Sequence, residues 1–218
     1  MPHKNKAAIF DLDGTLLNTG LTFHTIVNEL KSELNEALVD FEPVRKFSSR
    51  GATLILKNCF KTYSDQEIEN LKYKFLSKYE KRLTENLVLY QGIELMLDDL
   101  ERKGIPWGIV TNKSWKYTGP IIKRLGWDKK TDAIICPDHV SEAKPSPEGV
   151  LLAATKLDAD LEESFYIGDH RRDIETGKNA GTKTIACSWG YAEDDPTHWG
   201  ADYIANNAEE LREWILKK

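Results

Sequence analysis

The sequence predicts an α/β fold: a doubly wound, Rossmann-like parallel sheet core with an inserted all-helical cap domain. Three observations predict it. Short apolar runs at residues 7–10, 106–110, 133–136, 165–167 and 184–187, with a weaker one at 202–204, alternate with helical stretches over most of the chain. The runs are apolar without alternation, the pattern of strands buried on both faces of a parallel sheet. Between the first run and the second, residues 21–84 show helical spacing alone. A chain of 218 residues has room for a core and one small insertion, and it can bury a sizeable core without staples.

The elements follow in order. Ala7 to Phe10 runs directly into Asp-Leu-Asp-Gly-Thr, a buried strand opening into a polar loop. Then Leu21, Ile26, Val27, Leu30 and Leu34 recur at helical spacing, as do Leu54, Ile55 and Phe60, and again Ile68, Leu71, Phe75, Leu76 and Tyr79. Ser64-Asp65-Gln66-Glu67 reads as a helix start, a capping residue followed by acids in the first turn. This block is the size of a compact helical bundle, which sets the cap at residues 19–85 and the core at 1–18 and 86–218. Beyond Gly92, helices are expected at residues 93–102, 119–125, 147–157, 174–180 and 208–216, each lying between strands or after the last one.

Composition narrows the function classes. A hydrophobic share of 40% and a charged share of 30% are ordinary for a globular domain. A net charge of -5 argues against a nucleic-acid partner, which needs a basic face. It leaves room for an anionic small molecule, because a few cations or one metal ion reverse the field locally. The three cysteines, Cys59, Cys136 and Cys187, are dispersed and read as buried, reduced thiols. Residues 1–6 are polar without a signal segment, and no run reaches membrane-spanning length, so a cytoplasmic protein with no membrane partner is expected, as a monomer or homodimer.

The strand ends carry the chemistry. In a doubly wound sheet, ligands bind beyond the carboxyl ends of the strands. Four of those ends bear groups suited to phosphate: Asp11-Leu12-Asp13, Thr111-Asn112, a stretch reaching Lys144, and Gly168-Asp169. Asp11 and Asp13 are two apart in an extended segment and so face one side, although such a pair taken alone also fits an ordinary turn.

Phe10-Asp11-Leu12-Asp13-Gly14-Thr15-Leu16-Leu17-Asn18-Thr19 resembles the first motif of the haloacid dehalogenase-like superfamily. Ile109-Val110-Thr111-Asn112 is similar to its second motif, and Lys144 in Ala143-Lys144-Pro145 to its third. Ile167-Gly168-Asp169-His170-Arg171-Arg172-Asp173-Ile174 is similar to its fourth. The motifs fall in order, and the helical block follows the first, as in cap-bearing members. The resemblance implies an Mg²⁺-dependent phosphatase acting on a small phosphorylated metabolite. Asp11 is then the nucleophile, forming an aspartyl-phosphate, and Asp13 the acid and base. Asp11, the backbone carbonyl of Asp13, and Asp169 are the implied protein ligands of Mg²⁺. Thr111, Asn112, Gly14 and neighbouring backbone N–H groups hold phosphate oxygens, and Lys144 supplies a positive point charge. Asp173 either supports a metal-bound water or only favours a helix N-terminus.

Asp13 sets the leaving group, since dehalogenases proper have no acid there; a phosphate ester or anhydride is expected. The stretch Arg45, Lys46, Ser48, Ser49 and Arg50-Gly51-Ala52 resembles the cap loop of the phosphoglycolate phosphatase group. Its Arg-Gly-Ala run is similar to one in N-acetylmuramic acid 6-phosphate phosphatase. Arg50 is either the reader of a substrate carboxylate or a solvated surface arginine. A carboxylated monoester such as 2-phosphoglycolate is the leading expectation, and N-acetylmuramic acid 6-phosphate the second. Pyrophosphate hydrolysis and phosphosugar isomerisation use the same chemistry. A non-catalytic binding relative would have lost Asp11, Asp13 or Lys144, and all three are present.

Overall fold

Six strands form one sheet in the computed structural model, which describes residues 5–218. The expectation for the polar residues 1–4 lies outside the described residues. The strands are β1 (Ala8–Phe10), β2 (Trp107–Val110), β3 (Ile134–Ile135), β4 (Phe165–Gly168), β5 (Lys183–Cys187) and β6 (Tyr203–Ala205). All neighbours are parallel, in the order β3-β2-β1-β4-β5-β6. β1 is central, with successive strands added on its two sides, so the crevice at its carboxyl end is the topological switch point.

Alternate residues of β1 feed two separate apolar clusters. Ala8 and Phe10 join one with Ile109, Phe165 and Ile167, while Ala7 and Ile9 join another with Val110, Ile135 and Tyr166. This is the two-residue period of a strand buried on both faces. The first face is covered by α5 (Ile93–Arg102), α6 (Trp115–Leu125) and α9 (Ala208–Lys217). The second is covered by α7 (Glu148–Lys156) and α8 (Arg171–Ala180).

Two helices start earlier than periodicity indicates. α6 begins at Trp115 rather than Gly119, because the Asp138 carboxylate accepts from the Trp115 N–H at 2.7 Å, a cap supplied from another loop. α8 begins at Arg171 rather than Ile174, through a capping box in which Asp173 accepts from the His170 N–H at 3.0 Å. The expected strand at 133–136 shortens to two paired residues at the sheet edge.

Between β1 and α5 lie α1 (Gly20–Glu33), α2 (Phe41–Arg45), α3 (Ala52–Cys59) and α4 (Asp65–Arg82). The Ser64 start of α4 is a full capping box with Glu67. The chain leaves and rejoins the core through a paired stem: Leu17 bridges Leu89, Asn18 N donates to Val88 O at 2.8 Å, and Tyr90 N donates to Leu16 O at 3.1 Å. Side chains of these helices, such as Phe23, Ile26 and Phe75, share one apolar cluster with the first face of the sheet. His24, in α1, is a structural residue whose ring nitrogen meets Val39 O at 2.8 Å. Cys59, Cys136 and Cys187 are buried and unpaired. Among the described residues, no helix is long and apolar enough to cross a membrane.

Candidate active site

The end of β1 is tied to β4 by the Asp11 N–H, which donates to Ile167 O at 2.8 Å. Asp11 therefore stands beside Gly168, with Asp169 one residue beyond. Lys144 arrives from the loop before α7, and its ammonium lies 2.9 Å from Asp11 Oδ1 and 2.7 Å from Asp173 Oδ1. Asn112, at the end of β2, fixes that loop: its amide donates to Lys144 O at 3.2 Å, and its Oδ1 accepts from Lys144 N at 3.1 Å. Its side chain is thus engaged in positioning Lys144. Thr111 is buried at the strand end, and its hydroxyl accepts from the Lys113 N–H.

Asp169 is completely enclosed. Oδ1 accepts from the Thr15 hydroxyl at 3.1 Å, and Oδ2 accepts from the Tyr191 N–H at 2.7 Å. Two glycines make this possible. A Cβ on Gly14, which has φ +90, or on Gly190 would overlap the Asp169 carboxylate. Gly14 thus serves to admit Asp169. Gly190 to Tyr191 carries no sequence signal, because what it contributes is a backbone donor and an absent side chain. Gly190→Ala is expected to lower Tm by several degrees, an overpacking cost of ~1–3 kcal/mol. Displacing Asp169 by about 1 Å should also reduce kcat by roughly 10²-fold. Thermal melts and steady-state kinetics on the purified variant check both.

Asp11, Asp169 and Asp173 each offer an oxygen within 4.8 Å of the others. Burial pushes the Asp11 carboxyl up to about 6; Lys144 pulls it down and Asp173 pushes it further up. Burial also holds Asp169 well above the usual carboxylate range, reinforced by the charges of Asp11 and Asp173. Burial opposes the charge on Lys144, but Asp11 and Asp173 outweigh it and hold the ammonium protonated. Three buried carboxylates against one ammonium leave negative charge in excess, which a divalent cation with oxygen preference would offset. The donor set fits Mg²⁺. Asp173 belongs to this acidic group through its own carboxylate. The Asp13 side chain does not; it lies 2.9 Å from the ammonium of Lys113.

Lys113 is the first residue that sequence reasoning missed. It binds both Asp13 oxygens, at 3.0 and 2.9 Å, and lies 4.9 Å from the Tyr79 ring centroid. It stands two residues past Thr111, but the chain bends there, with the Lys113 N–H turning back to the Thr111 hydroxyl, so strand alternation alone does not place it. Tyr79 is the second. Its hydroxyl is buried close to Lys113, yet it makes no hydrogen bond of acceptable geometry.

These groups line one cavity of about 310 Å³ between the sheet edge and the inserted helices. Asp11, Asp13, Thr111 and Lys144 form its floor, while Phe23, Phe75, Tyr79 and Tyr117 make an aromatic wall. The wall is continuous, with ring centroids 5.6 Å apart for Phe23 and Phe75, 5.0 Å for Phe23 and Tyr79, and 5.7 Å for Tyr79 and Tyr117. The loop Ser48 to Ala52 lines the same space. Arg50 is on it, but its guanidinium is already 3.2 Å from Glu193 and 47% exposed. Trp189 donates to Thr15 O and packs on Tyr90, and Trp115 is an exposed residue outside this cavity.

Comparison with known proteins agrees with this geometry. Residues 8–187 match the family model described as haloacid dehalogenase-like hydrolase. The chain is 41% identical over 209 residues to an N-acetylmuramic acid 6-phosphate phosphatase of Pseudomonas aeruginosa, covering 94% of this chain and 92% of the relative. It is 35% identical over 210 residues to a phosphoglycolate phosphatase of Xanthomonas campestris, covering 95% of each. A Haemophilus somnus crystal structure described as a predicted phosphoglycolate phosphatase superposes with TM-score 0.81 at 23% identity, over 98% of this chain and 100% of that one.

Proposed function

This chain belongs to the haloacid dehalogenase-like hydrolases and is a phosphatase of that family, and from this premise we propose that it hydrolyses a small carboxylated phosphate monoester through a phosphorylated Asp11. One observation carries the reading. Residues from three distant segments meet at one carboxylate, with Lys144 at 2.9 Å from Asp11 and Asp169 and Asp173 in the same acidic group.

The residues divide the work as follows. An oxygen of Asp11 attacks phosphorus as the bond to the leaving oxygen breaks, and Asp13 gives that oxygen its proton. A water then attacks the phosphoryl group on Asp11, Asp13 takes the proton from that water, and inorganic phosphate departs with Asp11 restored. Thr111 and the remaining backbone N–H groups of the loop after β1 hold the phosphate oxygens; the expected Gly14 N–H is not among them, because it donates to Leu17 O at 2.8 Å within the turn. Asn112 contributes by holding the backbone of Lys144 in place. Lys144 places its charge beside the nucleophile, and Asp173 fixes the other side of that ammonium. Asp11 and Asp169, with Asp173 close by, would hold Mg²⁺ together with the backbone carbonyl of Asp13, and the ion would supply charge neutralisation between two anionic reactants. The inserted helices exclude water and read the leaving group.

Cavity size bears on the substrate. About 310 Å³ lies at the lower end of ligand pockets, ~300–1,000 Å³, and a two-carbon acid phosphate leaves much of it to water. A phosphorylated sugar acid fills it, with the ring's C–H face against the aromatic wall. That favours N-acetylmuramic acid 6-phosphate over 2-phosphoglycolate, the order in which the two relatives' identities also fall. A phosphate-release assay with Mg²⁺ across both compounds, simple sugar phosphates, nucleotides and pyrophosphate tests this. The expected result is a kcat/KM for the sugar acid phosphate at least ~10-fold above that for phosphoglycolate, the scale of one extra desolvated contact. Preference for pyrophosphate or an uncarboxylated ester would replace the reading.

A further inference from the structure

The cavity holds a cation whose position the fold does not explain. Arg171 and Arg172 both sit in the first turn of α8, where the helix dipole disfavours positive charge. Arg171 is compensated by an ion pair with Asp194. Arg172 is not: among the described residues, no carboxylate lies within ion-pair distance of it. Its Nε donates to His170 Nδ1 at 3.2 Å, and its Nη2 donates to the backbone carbonyl of Ser49 at 3.1 Å. It lines the cavity, and so does Ser49, whose buried hydroxyl has no hydrogen-bond partner among the described residues. Buried polar groups are rarely left so, and a functional site is one of the few reasons for it. Arg50, by contrast, is exposed and already paired with Glu193, which also meets His170 at 3.4 Å.

We infer that Arg172, together with the Ser49 hydroxyl, reads the carboxylate of the substrate, and that Arg50 does not. The inference rests on the carboxylated-substrate reading above and assigns it to residues. An anion there neutralises a cation that the helix end penalises and satisfies an orphaned donor. The guanidinium is anchored through His170 and the Ser49 carbonyl on a regular helix, so it is preorganised, and the planar fork suits a carboxylate better than an ammonium does.

The experiment uses pairs of which one member lacks the carboxylate, the first pair differing by the whole lactyl ether and the second by a hydroxymethyl group in the carboxylate's place. N-acetylmuramic acid 6-phosphate is compared with N-acetylglucosamine 6-phosphate, and 2-phosphoglycolate with 2-hydroxyethyl phosphate. Wild-type kcat/KM is expected to favour the carboxylated member. Arg172→Met should cut that preference by roughly 30- to 100-fold, mostly through KM, and Arg172→Lys should recover only part of it. Ser49→Ala should reduce it by about 3- to 10-fold, and Arg50→Met should keep the wild-type preference. If Arg172→Met lowers both members of a pair equally, the residue only joins cap to core and the inference fails. Collapse of the preference in Arg50→Met also overturns it. A wild-type enzyme that ignores the carboxylate in both pairs overturns the substrate reading itself, and the assignment with it.

Discussion

Asp11→Asn is expected to lower phosphatase turnover by roughly 10⁴-fold or more, the scale seen when a nucleophile that acts as a unit with its neighbours is removed. The change is nearly isosteric, so the fold should persist. Its effect on stability has a definite sign in metal-free protein. Asp11 is one of three crowded carboxylates whose charge burial penalises, and Asp173 still pairs with Lys144 at 2.7 Å after the substitution. Tm without metal should therefore be unchanged or higher. Residual activity above ~1% of wild type in a preparation free of wild-type contamination would remove Asp11 from the nucleophile's role. A large fall in Tm would mean instead that the carboxylate holds the site together.

Removing divalent metal has the second large effect. EDTA is expected to abolish turnover, and excess Mg²⁺ to restore it. Stability gives a readout independent of activity. In metal-free protein Asp11 titrates at about 6, above the ordinary value of 3.8 that an unfolded chain would show. The folded state thus binds that proton more tightly, and its contribution to stability is complete below the unfolded value and lost as pH rises through about 6. Metal-free protein should accordingly melt higher at pH 5.5 than at pH 7.5, by a few degrees at ~2–4 °C per kcal/mol for a chain of this size. Mg²⁺ should stabilise the fold most at pH 7.5, where proton competition is least, by ~2.7 kcal/mol at a hundredfold excess over Kd, and raise Tm accordingly. A melt indifferent to Mg²⁺ at pH 7.5 would sink the metal assignment. Activity that survives chelation would do the same.

The parts legible beforehand are local in sequence. The run from Phe10 to Thr19 contains a strand, a turn and two carboxylates within a few residues, and strand periodicity alone puts Asp11 at a sheet end. The alternation of apolar runs with helices, together with the chirality of parallel crossovers, brings Thr111, Lys144 and Asp169 to the same edge. Ser64 and Glu67 marked a helix start because a capping box involves only neighbours.

What only the folded chain decided involves partners far apart or groups without a side-chain signature. Lys113 meets Asp13 across a hundred positions, and Asp138 caps α6 from a separate loop. Arg50 and Arg172 are indistinguishable as letters and both line the cavity, but one is paired with Glu193, while the other has no carboxylate partner among the described residues. Gly190 and Tyr191 act through a missing Cβ and a backbone N–H, which almost any sequence could supply. Fold class and the chemistry of the strand ends follow from the order of residues alone, because periodicity and contiguous motifs are short-range. Tertiary structure decided which charges are compensated and which polar groups are orphaned, because neutralisation depends on distance in space and on the water that burial removes.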